Sequence, residues 1–214
     1  LTEPLILLGG GGQAAVLAEI LRQANRDIIA LVSPDSVAGR PGLSGIPVLT
    51  RDDEVFLYSA DRIRLVNGVG MIPGKILRKR LFASFRQQGY RFASVIAPSA
   101  IISSSVTLGE GVQIMPGAIV NAGAVIGDNT IINSGAVVEH DCHIGAHNHV
   151  APGAVLSGQV TTGDGVHIGT GASIIQGVSI GAEAVVAAGA MLNRHLPAGH
   201  IVYAPRPVIK PFQY

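Results

Sequence analysis

From Ile96 to Leu192 an aliphatic residue returns at every sixth position, and no other feature of the chain restricts the fold so tightly. The series runs through Ile102, Leu108, Ile114, Val120, Ile126, Ile132, Val138, Ile144, Val150 and Leu156, then Ile168, Ile174, Ile180 and Val186. Only Thr162 interrupts it. Four residues after many of these positions stands something small, such as Ala118, Ala124, Thr130, Ala136, Cys142 or Ala154. Glycine often follows directly, as at Gly109, Gly127, Gly145, Gly169 and Gly181. This spacing fits neither the helical period of about 3.6 nor the strand period of about 2. It is the signature of a parallel β-helix, in which three hexads wrap one triangular coil, aliphatic side chains stack inside and small residues fill the corners. About five coils are predicted, with Arg194 to Tyr214 closing the open end as a cap.

The first 94 residues follow a different grammar. Leu5 to Leu8 reads as a buried strand and leads into Gly9-Gly-Gly-Gly12. A helix is predicted over Gln13 to Ala24, with Val16, Leu17, Ile20 and Leu21 on one face. A second strand covers Ile28 to Val32, and a loop with Pro34, Gly39, Pro41 and Gly42 spans Ser33 to Gly45. Arg64 to Val66 is a third strand, and a basic helix follows from Lys75 to Gln88. The expected organisation is an α/β Rossmann-like domain over 1–94, a β-helix over 95–193 and a short cap over 194–214.

Gly9-x-Gly11-x-x-Ala14, between strand and helix, lets a phosphate approach the helix N-terminus. Asp35, just past the second strand, is the candidate for recognising a base or ribose. The motif admits NAD, but the domain is too short for a full dinucleotide fold. With 14% charged and 48% apolar residues the chain does not have the composition of a disordered segment. So apolar a soluble chain is expected to hide part of its surface in an oligomer. A net charge of +1 suggests no nucleic-acid partner. The single Cys142 excludes an intrachain disulfide and fits a reducing compartment. Leu1 to Leu8 does not read as a signal peptide, and no apolar run approaches the roughly 20 residues of a membrane span, so a cytoplasmic location with no membrane span is expected.

Residues 96–192 resemble the hexapeptide-repeat acyltransferases, and the glycine-rich first domain narrows the resemblance to the nucleotide-sugar (4-amino sugar) N-acetyltransferases and sialic acid O-acetyltransferases. The most specific stretch is Ile132-Asn-Ser-Gly-Ala-Val-Val-Glu-His-Asp-Cys-His-Ile-Gly145, which resembles the segment that carries the catalytic histidine of aminosugar N-acetyltransferases. The resemblance implies a left-handed β-helix, a homotrimer, and acetyl-CoA held between neighbouring β-helices. It implies His140 as general base, with Asp141 orienting the imidazole. It further implies His149 and the Gly158 N–H at the acetyl end of CoA, and main-chain groups at Thr170 and Ala188 along the pantetheine arm. A nucleotide-linked sugar is expected at Gly11, Gly12, Gln13, Asp35 and Gly70, with Asn133 and Glu139 either touching substrate or simply exposed.

Three departures from the family pattern stand out. Gln13 replaces a usual histidine, Gly70-Met-Ile-Pro-Gly74 replaces a Gly-Asp/Asn-Asn stretch, and Ala204-Pro-Arg-Pro207 replaces a Gly-x-Pro-Ala segment. His143, His147 and His149 could suggest a metal, but without the usual ligand spacing none is expected. Cys142 falls on an inward position and is expected to be inert core. The basic helix is open to two readings, a solvated face or a phosphate contact through Lys75 or Arg78. The leading expectation is N-acetylation of a nucleotide-linked 4-amino-4,6-dideoxy sugar for surface glycan or glycoprotein synthesis. Sugar O-acetylation and a non-catalytic scaffold or binder are the alternatives.

Overall fold

The computed structural model describes residues 3–206, so Pro207 and the rest of the expected cap lie outside the described residues. The first part is a parallel four-stranded sheet built from β1 (Leu5–Leu8), β2 (Ile28–Val32), β3 (Val48–Leu49) and β4 (Arg64–Asn67), in the order β3-β2-β1-β4. The two-residue β3 is too short to leave a periodic signal and was not expected. Helix α1 (Gly12–Gln23) buries Ala14, Leu17, Ala18, Ile20 and Leu21. Val16, expected on that face, is instead 38% exposed. The buried stripe is centred on Ala14, Leu17, Ala18 and Leu21, an i, i+3, i+4, i+7 set whose two alanines let the helix lie close to the sheet. Helix α2 (Leu77–Gln87) begins two residues later than expected and covers the opposite face of the sheet with Leu81, Phe82 and Phe85.

From Val95 the chain winds as a left-handed parallel β-helix of two-residue strands, stacked into sheets of seven, six and five strands. We call the seven-stranded sheet, from Val95–Ile96 to Ile201–Val202, face 1. The six-stranded sheet, from Ile101–Ile102 to Met191–Leu192, is face 2, and the five-stranded one, from Thr107–Leu108 to Ser179–Ile180, is face 3. Each residue through most of the stack sits over the one 18 positions away, as in Val125↔His143↔Thr161. The coil turns because every sixth residue from Gly111 to Gly189 adopts φ between +57° and +73°. Glycine takes this conformation without penalty, while an L-residue gives up about 1–2 kcal/mol. Five corners nevertheless carry side chains: Asn129, Asp141, His147, Gln159 and Glu183.

Inside, the aliphatic ladder from Ile114 to Leu192 is buried as expected. The first coil, with no coil beneath it, is less covered: Ile96 is 44% exposed and Ile102 and Leu108 are partly buried. Thr162 joins the interior by hydrogen bonding: its hydroxyl accepts from the Gly145 N–H at 3.0 Å and from Asn148 Nδ2 at 2.6 Å. Cys142 is buried and its thiol donates to Ser157 O, consistent with a core role. Among the described residues no helix is long and apolar enough to cross a membrane.

The sheet and the solenoid are joined by an apolar patch and a buried polar plug. Val95, Met115 and Ile131, which point outward from face 1 or its corner, are buried in the same cluster as Leu17 and Leu21 of α1. Beside them Arg78, 4% exposed, donates to Asn67 O (2.8 Å), Val69 O (2.7 Å) and, from Nε and a terminal nitrogen, to Asn129 O (3.3 and 3.2 Å). Arg78 is therefore not a solvated residue: most of its N–H groups donate to backbone carbonyls, and it is the pin between the two units. Replacing it leaves the Val69 and Asn129 carbonyls short of a donor, each a sizeable cost, while Asn67 O keeps Gln113 Nε2 at 2.7 Å. The substitution Arg78→Met is expected to lower stability by roughly 2–3 kcal/mol, read as a lower urea midpoint.

Candidate active site

His140 follows the face 2 strand Val137–Val138, at the corner leading to face 3. Its Nδ1 lies 2.9 Å from Asp141 Oδ2, and both side chains are about half exposed. An ionised carboxylate only accepts, so Nδ1 carries the proton and Nε2 presents a lone pair. The coils above and below make room for this pair. A Cβ on Gly158 would lie 2.5 Å from His140 Nε2, and a Cβ on Gly123 would lie 2.5 Å from Asp141 Oδ1. Each glycine is one coil away from the residue it accommodates, so the imidazole and the carboxylate rest on bare backbone. Asp141 is itself a corner residue, with φ +59°, and its backbone N–H donates to Ala122 O. His140 O accepts from the Gln159 N–H at 2.9 Å, tying the same corner to the coil above.

His149 stands elsewhere, on face 1 beneath the loop that follows β4. Asn133 Oδ1 accepts the Ser134 N–H at 2.8 Å, which fixes the amide so that Nδ2 donates to His149 Nε2 at 2.9 Å. The remaining ring nitrogen, Nδ1, then donates to Met71 O at 3.3 Å. Both nitrogens are engaged and the ring is neutral. Burial, reinforced by the neighbouring His167 ring 5.0 Å away, holds its pKa down at about 4. Asn133 thus contacts His149, while the partly buried Glu139 sits beside His140. Thr170 and Ala188 are exposed on successive coils at the corner between faces 1 and 2. His143 contacts Asp141 O, His147 contacts Asn129, and His149 contacts Asn133 and Met71, so the three do not converge on one point.

Gly11, Gly12, Gln13, Asp35 and Gly70 line one cavity of about 480 Å³ at the N-terminus of α1. Gly10 must be glycine here, because a Cβ would lie 2.5 Å from Ser33 Oγ. Gln13 spends an amide N–H on Gln113 Oε1 at 2.9 Å, which ties the rim of this cavity to face 1. The cavity wall also includes Arg40, its one cationic side chain, which sequence reading passed over as part of a featureless loop.

The glycine-floored His–Asp corner on a six-residue solenoid defines the class, a hexapeptide-repeat transferase. The model of the bacterial transferase hexapeptide family (six repeats) matches residues 105–140 and 123–158. The chain is 38% identical, over 94% of its length and 93% of the other, to perosamine N-acetyltransferase from Caulobacter crescentus solved with CoA and GDP-perosamine, with a TM-score of 0.83. The acetyltransferase domain of PglB from Neisseria gonorrhoeae, solved with acetyl coenzyme A, is 27% identical over 94% of this chain and 96% of that one, TM-score 0.84. WeeI from Acinetobacter baumannii is 27% identical over 95% and 97%, TM-score 0.81. The search of curated proteins returned no match. The chain belongs to the hexapeptide-repeat sugar acetyltransferases and is an acyltransferase.

The neutral His149 makes stability depend on pH. Its pKa falls from 6.5 to about 4 on folding, so between these values the unfolded chain binds a proton that the native site refuses. Stability is complete above 6.5 and declines as pH falls toward 4, by roughly 3 kcal/mol. His147 and His167, also lowered chiefly by burial, add in the same direction. Denaturation midpoints measured across this range should fall with pH in the native protein and fall less steeply in His149→Gln.

Proposed function

We propose that this chain is an acetyl-CoA-dependent N-acetyltransferase acting on the 4-amino group of a nucleotide-linked 4-amino-4,6-dideoxy sugar, in the synthesis of a surface glycan or glycoprotein. The observation that carries the reading is the His140–Asp141 pair with Nε2 free as a base and a glycine backbone directly against it. The Caulobacter enzyme has been crystallised with CoA and GDP-perosamine, also with one histidine changed to asparagine or to alanine. A GDP-linked amino sugar is accordingly the first substrate to offer.

In this reading residues 1–94 hold the nucleotide, 95–193 carry the acyl transfer and the cap begins at 194, its part from 207 on lying outside the described residues. The diphosphate meets the Gly11–Gly12 N–H groups at the start of α1, with Arg40 beside it and Asp35 toward the base or ribose. His140 Nε2 accepts the proton of the amine as its nitrogen bonds to the thioester carbon, and Asp141 holds the resulting imidazolium. The Gly158 N–H, which meets no acceptor among the described residues, faces the carbonyl oxygen as charge develops there. His140 then returns the proton to the departing thiolate. No covalent enzyme intermediate is needed.

A homotrimer completes the site. The outward positions of face 2 are Ile101, Ile119, Val137, Val155, Ser173 and Met191, a stripe apolar at every position but Ser173 that a monomer leaves exposed at Ile101, Val155 and Met191. His140 and Gly158 lie along one edge of this face, and Asn133, Thr170 and Ala188 along the other. One chain cannot gather both edges into a groove. Three chains with face 2 turned toward a common axis set one edge beside its neighbour's opposite edge, which supplies the cleft for acetyl-CoA. The exposed Thr170 and Ala188 corners present N–H groups that meet no acceptor among the described residues and can line a pantetheine arm.

Thiol release from acetyl-CoA should require a nucleotide-linked amino sugar, and His140→Ala should cut kcat by about 10²–10⁴ with little change in melting temperature. Asp141→Asn should cost less, and Gly158→Ala should slow turnover by pushing the ring aside. Wild-type turnover that persists undiminished in His140→Ala would sink this assignment, and turnover with hydroxyl but not amino sugars would move it to O-acetylation. For the assembly, sedimentation should show three copies in the native protein. Val155→Glu should yield folded monomers without activity.

A further inference from the structure

A second crevice opens between the loop preceding α2 and the outer corner of the solenoid, where faces 3 and 1 meet. It encloses about 170 Å³, well above the ~30 Å³ share of one water. Its wall carries three cations, Lys75, Arg78 and Lys79, against one carboxylate, Glu183. That carboxylate is already committed to Lys79 at 2.9 Å. The Arg78 guanidinium is buried among backbone carbonyls, with no carboxylate beside it among the described residues. Burying a charge without a counterion is costly, so such a site favours an anion.

The crevice also offers a directed donor. Asn67 Oδ1 accepts the Val69 N–H, so its Nδ2 donates to Asn129 Oδ1 at 3.2 Å. Asn129 Nδ2 must then face His147 Nδ1, 3.0 Å away. With Nδ1 accepting, the neutral His147 ring carries its proton on Nε2, which has no acceptor among the described residues. Met71 and Ile76 add apolar wall on the loop side.

We propose that this crevice binds a small oxyanion, with room for a short carbon tail, through Lys75, the Arg78 charge and the His147 Nε2–H. The site is separate from the His140 corner and from the glycine-rich cavity, and it does not depend on the acetyl-transfer reading. Gly70 and Leu77 wall the glycine-rich cavity while Met71 and Ile76 wall this crevice, so an anion seated here braces the partition between the two.

Calorimetric titration at fixed ionic strength, with inorganic phosphate and separately with butyrate, tests the proposal. We expect saturable binding of one of these probes, one per chain, weakened at least tenfold by Lys75→Ala and by His147→Gln and unchanged by Arg40→Ala. Preference for phosphate identifies a phosphoryl ligand, and preference for butyrate a carboxylate with its tail on Met71 and Ile76. Melting curves establish that each variant is folded. No saturable binding of either probe overturns the proposal. So does binding lost in Arg40→Ala but kept in Lys75→Ala, or weakened equally by all three changes, which is general charge attraction.

Discussion

A solenoid of three-sided coils closes only if the backbone turns through a left-handed φ at every corner, and that requirement recurs here at every sixth residue from Gly111 to Gly189. Most corners meet it with glycine. The five that do not are informative, since each accepts a conformational penalty of about 1–2 kcal/mol. Asp141 holds His140, Asn129 accepts from the Arg78 pin, His147 caps Asn129, and Glu183 pairs with Lys79. Gln159 makes no side-chain bond among the described residues and contributes through its backbone N–H, which donates to His140 O. Corner side chains thus project where a strand residue could not, and the chain uses them at its candidate catalytic corner and at its joint.

The same geometry explains why the glycines at 123 and 158 matter as a pair. Neighbouring coils lie about 4.8 Å apart, and the His140 ring and Asp141 carboxylate lean into the space that a Cβ at 158 or 123 would fill. Corner side chains that project instead, such as Asn129 and His147, stack on successive coils without a glycine. The bare backbone on either side of the His–Asp pair therefore follows from how these two side chains lie. It also places the Gly158 N–H, which meets no acceptor among the described residues, next to the base.

Much of this was legible in the sequence. The aliphatic period gave the solenoid, its inward ladder and the face of each residue, because an i to i+18 register leaves no freedom once three hexads make a coil. It also placed His140 outside the ladder, with Asp141 next to it, while the glycine-rich motif and the family resemblance, not the period, pointed to Gly11, Gly12, Gln13, Asp35 and Gly70, which line one cavity. What it could not give was long-range pairing between the two units. Arg78 read as one more charge on a basic helix, yet it is buried by carbonyls from residue 67 and from residue 129, contacts that no local pattern encodes. Val16 was misplaced because two alanines, not larger side chains, set the line along which α1 touches its neighbours. Asn133 was open to a substrate role, and only the Ser134 N–H reveals which way its amide faces.

The joint between the units spans several coils: Gln13 meets Gln113, Arg78 meets Asn129, Met71 meets His149, and Lys79 meets Glu183. A lineage built on this plan can therefore change length only in whole steps. An insertion of a few residues would rotate every later side chain to another face and unfasten all the clasps above it. Adding one complete coil within the clasped span would preserve every facing, yet raise the upper clasps by about 4.8 Å and pull the partner loops out of reach. The coil count between residues 113 and 183 therefore acts as a gauge block for the joint, fixing the spacing of its clasps along the solenoid. Spare coils can accumulate only beyond it, toward the chain's end.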